Sequence, residues 1–232
     1  MIKTMDPLKP SMIKFCLKDY FNISTAEMKR NLEIKSHKIT EKWVKSNYTD
    51  FSIYHSDDYI FDCVLCFIDW TKQAIKTVKR ILPDLRSILD FYNGVGLSTI
   101  QIKNLWPDAQ VSFFNDVENQ MRFYEYFRKR TFQNQTIFKM RSGQYDAVFI
   151  FEVFEHYANP EKFFVDIIHP LIGKYLVFTA TFGQMDPGHF PEYNGIDGKR
   201  YGHHFAKFIE KKGYKKIFTG WNSRPVIYEY IN

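Results

Sequence analysis

Three short groups of residues in this chain have the types and spacing to do chemistry. The first is Asp90-Phe91-Tyr92-Asn93-Gly94-Val95-Gly96, a carboxylate running into a glycine-containing turn. Glycines let a backbone come close to a ligand, and a helix opening after such a turn presents unpaired N–H groups and partial positive charge. The second is Asn115-Asp116, 25 and 26 residues after Asp90, close to the spacing at which a polar acceptor holds ribose hydroxyls in a βαβ unit. The register leaves Asn115 and Asp116 both open. The third is Glu152-Val153-Phe154-Glu155-His156. His156 titrates near neutrality and suits proton exchange, or else it only supports its loop. Glu152, Glu155 and His156, separated by three and four, lie on one face if the segment turns helically. They could hold a divalent cation if His203 or His204 approached, although each of those two, taken singly, reads as a cap or surface residue.

These groups need elements to position them. Residues 87–91 are a short, mostly apolar run, 92–96 a turn, and 97–105 a loosely helical pattern through Leu97, Ile100, Ile102 and Leu105, so the first group reads as strand, tight loop, helix. Residues 110–115 make a second strand and 117–130 a helix with Met121, Tyr124 and Phe127 inward. A third strand is expected over 135–140. Residues 145–151 are almost wholly apolar, as a strand buried on both faces should be. A helix over 160–169, a strand over 174–179, a long loop over 181–200 and a helix over 201–212 follow. Two closing strands, 214–219 and 225–231, are joined by a turn through Trp221-Asn222-Ser223. Helices alternate with strands until that hairpin. The pattern predicts an α/β fold with an open, mostly parallel sheet, helices on both faces and an antiparallel hairpin at one edge.

Upstream, residues 1–54 read as irregular helices, with Ser11 capping one and Ser24 with Glu27 forming a capping box for the next. A clearer helix carries Ile60, Val64, Phe67, Thr71, Ala74, Val78 and Leu82 near one face and stops at Pro83. At 232 residues and 45% apolar content, the chain suits one main domain with an appended helical piece. Residues 1–80 are expected to form an N-terminal helical lid or substrate cap, and 81–232 the main domain. The longest apolar stretch, 59–70, is broken by Asp62 and Asp69, and no signal-peptide pattern opens the chain, so a cytoplasmic protein without membrane spans is expected. Cys63 and Cys66 form a C-x-x-C without a second pair, which favours buried helix positions over a metal or redox role. The net charge of +6 admits a nucleic-acid partner, but the charges are scattered, and a biased coding composition gives the same balance.

Over residues 81–232 the sequence resembles the class I S-adenosylmethionine-dependent methyltransferases. The resemblance rests on Ile88-Leu89-Asp90-Phe91-Tyr92-Asn93-Gly94-Val95-Gly96, on Asn115-Asp116, and on Tyr145-Asp146-Ala147-Val148-Phe149-Ile150-Phe151-Glu152-Val153-Phe154-Glu155-His156 followed by Asn159-Pro160. The last is similar to the ubiquinone-biosynthesis O-methyltransferases. The resemblance implies a Rossmann-like, mostly parallel seven-stranded sheet with one reversed strand, S-adenosylmethionine as cofactor, and in-line transfer of its methyl group to a small molecule. It places Asp90, Tyr92, Gly94 and Gly96 around the methionine part and Asn115 or Asp116 at the ribose, with His156 and Glu152 as catalytic candidates. Tyr92 departs from the family, which has glycine there, so the turn is reshaped or the ring covers part of the cofactor site. The Glu-x-x-Glu-His letters also resemble the metal-using small-RNA 3′-terminal 2′-O-methyltransferases. The same letters occur in metal-free relatives, and no metal is assigned. An RNA or DNA acceptor and a non-catalytic binding subunit are the alternatives.

Overall fold

The computed structural model describes residues 6–92, 94–131, 135–220 and 225–231. Among the described residues four α-helices precede the sheet. Pro10 opens α1 (Pro10–Phe21), where its fixed φ suits the first helical position, and Lys9 rather than Ser11 is the N-cap residue. In α2 (Thr25–Lys45) the Ser24 hydroxyl accepts the Glu27 N–H at 3.1 Å, as the spacing predicts. α3 (Asp57–Cys66) and α4 (Lys72–Ile81) are joined without a break by a π-helical turn, Phe67–Thr71. All seven residues of the predicted stripe, Ile60 to Leu82, are buried. The widened turn is not visible in their spacing. Leu8, Ile13 and Leu17 lie in the same apolar cluster as Ile88, Val111 and Phe149, so the N-terminal helices close one face of the sheet.

The sheet alternates with helices as predicted: β1 (Ser87–Phe91), α5 (Leu97–Leu105), β2 (Gln110–Phe114), α6 (Glu118–Arg130), β3 (Phe138–Lys139), β4 (Tyr145–Phe151), α7 (Pro160–Phe163) and β5 (Ile172–Thr179). A small hairpin, β6 (Glu192–Tyr193) with β7 (Ile196–Asp197), leads into α8 (Gly198–Lys211), β8 (Tyr214–Thr219) and β9 (Val226–Tyr230). The seven-stranded order is β3-β2-β1-β4-β5-β9-β8, with β9 antiparallel to both neighbours and the other pairs parallel. This is the expected α/β, Rossmann-like sheet with one reversed strand. Ala147 to Ile150 of β4 have no exposure, because helices cover both faces of a central parallel strand.

Several local expectations are corrected. β3 keeps only two residues of the predicted six. α6 turns Phe123, Tyr124 and Phe127 inward, while Met121 is only partly buried. The helix after Pro160 becomes a π turn and then a 3-10 turn rather than one regular helix. α8 begins at Gly198, because the Asp197 carboxylate accepts the Lys199 N–H and caps it. The expected turn at 221–223 lies outside the described residues. Among the described residues no helix is long and apolar enough to cross a membrane.

The geometry also sets a demand at Gly96. It stands at the N-cap of α5 with φ 74°, and a Cβ there would lie 2.1 Å from the Tyr124 ring. Gly96→Ala therefore combines left-handed strain with overpacking and should cost about 2–4 kcal/mol in chemical denaturation.

Candidate active site

In a sheet of this topology β1 and β4 are neighbours whose connections leave in opposite directions, which opens a crevice beyond their C-terminal ends. A cavity of about 930 Å³ lies there, enclosed by the strand ends, the N-terminal helices and the loop after β5. Asp90, Tyr92 and Gly94 from β1 and its turn, Asp116 after β2, and Glu152 and His156 after β4 all line it. Of the predicted site residues, Gly96 and Asn115 do not. Gly96 faces Tyr124 instead.

The turn after β1 is held by side chains. The Ser98 and Thr99 hydroxyls donate to Asp90 Oδ2 at 2.7 and 2.6 Å, tying the strand end to the first turn of α5. Burial pushes the Asp90 carboxyl up to about 6, with the two hydroxyl bonds opposing that rise. Tyr92 and Gly94 adopt left-handed φ values of 53° and 51°, so Tyr92 takes a conformation suited to glycine rather than redirecting the turn. Its ring packs edge-on against Phe91 and Phe114 and faces the Tyr157 hydroxyl. Asn115 Nδ2 donates to the Gly94 carbonyl at 2.6 Å and to Gln120 Oε1 at 2.9 Å, while Oδ1 accepts the Val117 N–H at 2.8 Å. Asn115 is thus engaged in holding the turn. Asp116 is exposed on the cavity wall.

Beyond β4 the chain turns sharply at Glu152, whose φ is 52°. Its N–H donates to the Thr179 carbonyl, and its Oε2 accepts the Thr181 hydroxyl at 2.8 Å. Glu155 is fully buried, with Oε1 accepting the Thr181 N–H at 3.1 Å. Burial, then the Glu152 carboxylate, raise its pKa well above the carboxylate range. Burial lowers the His156 pKa to about 4, with the Gly188 and Glu152 backbone and the Glu152 carboxylate acting the other way. The ring is neutral at pH 7. Its Nδ1 is 3.1 Å from the Tyr54 hydroxyl, and its face meets His189 with ring centroids 4.8 Å apart.

Tyr54 and His189 are the residues that sequence reasoning missed. His189 is 7% exposed, and burial, then His156, hold its pKa well below the usual imidazole range. One ligand atom each from Glu155, His156 and His189 lies within 4.8 Å of the others. Glu155 Oε2 and His189 Nδ1 are buried without a hydrogen-bond partner among the described residues. His203 and His204 do not approach; they lie on α8, where His204 Nε2 pairs with Glu161 at 2.7 Å. The signal for His189 is the run Asp186-Pro187-Gly188-His189. Gly188 has φ 83°, and a Cβ there would come within 2.6 Å of His156 Nδ1. For Tyr54 the sequence carries no comparable signal.

The remaining wall is aromatic. Phe51, Tyr54, Tyr59, Phe67, Trp70 and Phe190 face the cavity. Phe182 and Tyr193 do not; Tyr193 is fully buried and donates its hydroxyl to the Glu155 carbonyl at 2.9 Å. Cys63 and Cys66 are half-buried cavity-lining residues of α3, and burial holds both thiols protonated. Trp43 of α2 donates its indole N–H to the His189 carbonyl at 2.7 Å, pinning the loop to the N-terminal helices.

No family model and no curated protein matches the sequence. Solved structures do resemble the fold. The magnesium protoporphyrin IX methyltransferase ChlM from Synechocystis PCC 6803, with bound SAM, aligns at a TM-score of 0.54 and 16% identity over 94% of this chain and 96% of that one. The 16S rRNA methylase ArmA aligns at 0.54 and 14% over 84% and 97%. An O-methyltransferase family protein from Burkholderia thailandensis aligns at 0.55 and 8% over 81% and 62%. At these identities the likeness is one of architecture, and the chain has the Rossmann-like methyltransferase fold.

Proposed function

We propose that the protein is an S-adenosylmethionine-dependent methyltransferase acting on a small molecule by in-line methyl transfer. One observation carries the reading: a single cavity gathers Asp90, Tyr92, Gly94 and Asp116 on one wall and Glu152 and His156 on another. The residues fit the cofactor. Asp116 is an exposed carboxylate free to accept the ribose hydroxyls, whereas the Asn115 amide is engaged in the turn. A volume of about 930 Å³ is at the upper end of ligand pockets and leaves room for an acceptor beside the cofactor. Residues 81–232 form the cofactor domain, and residues 1–80 cap the acceptor end.

When bound, S-adenosylmethionine supplies a methyl carbon already activated by its sulfonium, so alignment and desolvation supply most of the rate. The aromatic wall excludes water from the acceptor. Glu152, fixed by Thr179 and Thr181, orients it. Neutral His156 takes the acceptor's proton as the new bond forms.

A second reading has its own observation. Glu155, His156 and His189 could hold a divalent cation, and two buried atoms of this group, Glu155 Oε2 and His189 Nδ1, have no hydrogen-bond partner among the described residues. Such an ion would polarise an acceptor hydroxyl. The nucleic-acid alternative finds no support at the site, since no Lys or Arg lines the cavity among the described residues.

Calorimetry should show binding of S-adenosylmethionine or its demethylated product, and absence of both at millimolar concentration would sink the proposal. Asp116→Ala should weaken that binding by about 1–3 kcal/mol, and an unchanged affinity would remove Asp116 from the ribose site. His156→Ala should lower turnover about 10²- to 10⁴-fold with cofactor affinity little changed. Because the folded-state pKa of His156 is lowered from 6.5 to about 4, the rate should stay level from pH 8 to about 6 and fall only on approach to pH 4. The His156 contribution to stability follows the same sign, complete above pH 6.5 and lost as pH falls towards 4. Chelator treatment separates the two readings: full activity in chelator removes the metal, and loss restored by Mg²⁺ or Mn²⁺ establishes it.

A further inference from the structure

The cavity wall carries a charge that the cofactor site does not account for. In a chain with 32 Lys and Arg against 26 Asp and Glu, the lining holds Asp62, Asp90, Asp116, Glu152 and Asp186 and, among the described residues, no Lys or Arg. Asp90 is bonded to Ser98 and Thr99, and Asp116 stands at the end of β2. Asp62 of α3 and Asp186 of the loop after β5 remain, on the side of the N-terminal helices. Both line the same cavity; burial chiefly lifts the Asp62 carboxyl to about 6, with Asp186 adding to the rise, and burial, then Glu152, raise Asp186. No ion pair reaches Asp62, Asp186 or Glu152 among the described residues. The facing groups from α2 are the Ser36 hydroxyl at Asp62 and the His37 imidazole at Asp186.

The aromatic wall is the independent second observation. Phe51 is 52% and Trp70 46% exposed, large rings left unburied at the cavity rather than in the core. With Tyr54, Tyr59, Phe67 and Phe190 they give an acceptor space bounded by ring faces, whose negative potential attracts cations. Carboxylates partly withdrawn from water without a counter-charge are costly, and a cationic ligand would supply the missing charge. An anionic or phosphate-bearing acceptor would meet these carboxylates and, among the described residues, no Lys or Arg. We propose that the acceptor is a small amine whose ammonium group sits between Asp62, Asp186 and these rings as the recognition group. The methyl goes to a separate nucleophilic atom of the same molecule, whose proton passes to His156, because a protonated nitrogen has no lone pair to form the new bond. The inference rests on the methyltransferase reading for the role of the bound amine as acceptor, and on the cavity alone for its charge.

The test titrates 2-phenylethylamine, 2-phenylethanol and 3-phenylpropionate into the full chain saturated with S-adenosylhomocysteine. The amine should bind about tenfold more tightly than either other probe, and Asp62→Asn or Asp186→Asn should each cost it about tenfold. Neither substitution should change affinity for the alcohol or for S-adenosylhomocysteine. Thermal melting of Asp62→Asn checks folding, since loss of an unpaired carboxylate should leave the melting temperature unchanged or raised. Equal or tighter binding of the alcohol or the carboxylate overturns the proposal, as does an amine that fails to bind. So does a substitution that spares the amine or weakens S-adenosylhomocysteine equally, which would return the carboxylates to the cofactor. Displacement of the amine by Mg²⁺, with Mg²⁺ binding lost in Asp62→Asn, assigns the pair to an inorganic cation and also overturns it. Should S-adenosylhomocysteine fail to bind while amine selectivity persists, the methyltransferase reading falls and the amine site stands.

Discussion

The Asp90 carboxylate, sealed under the first turn of α5 by the Ser98 and Thr99 hydroxyls, is the constraint on which the site depends. It fixes the point at which the helix leaves β1. The intervening turn must then pass through left-handed backbone at Tyr92, Gly94 and Gly96. Three separate demands meet there: Gly96 must clear Tyr124, Gly94 must offer its carbonyl to Asn115, and Tyr92 must place its ring on Phe114. Only two of the three positions are glycine. The strain at Tyr92 is offset by aromatic packing and by its backbone N–H, which donates to the Phe114 carbonyl at 2.8 Å.

The opposite wall is fixed by a second sharp turn. Glu152 enters left-handed backbone directly after β4, and Thr181, from beyond β5, binds both Glu152 and Glu155. Two strand ends are thereby locked together beneath the cavity. The loop that follows is held from both sides, by the Tyr193 hydroxyl on the Glu155 carbonyl and by the Trp43 indole on the His189 carbonyl. The loop is therefore part of the site's wall. Its attachment to α2 makes the N-terminal helices the other half of that wall.

Much of this was legible in the sequence where local pattern and burial agree. β1, α5 and β4 occupy the residues expected of them, because each is an apolar run closed by turn residues or an apolar stripe of helical spacing. The start of α8 was misplaced because the Asp197 cap lies among loop-like glycines, and β3 was overestimated because little of it is paired. The choice between Asn115 and Asp116 was out of reach, since one residue of register reverses the direction of a side chain. What separates them structurally is that the Asn115 amide donates and accepts at once, as the turn requires and a carboxylate could not. His189 and Tyr54 reach His156 only through tertiary folding, across 33 and 102 residues.

The charge balance shows how a global property misleads about a site. A surplus of six positive charges suggests an anionic partner, yet among the described residues the cavity is lined by carboxylates and no Lys or Arg. Field lines in a cleft with low-dielectric walls follow the nearest charges, and exposed lysines beyond about 8–10 Å are screened by salt. The surface charge therefore governs solubility and non-specific encounters, while Asp62, Asp186 and Glu152 govern what enters. Asp62 and Asp186 have no ion pair among the described residues, and side chains that raise the cost of an empty pocket in this way favour a ligand of the opposite sign.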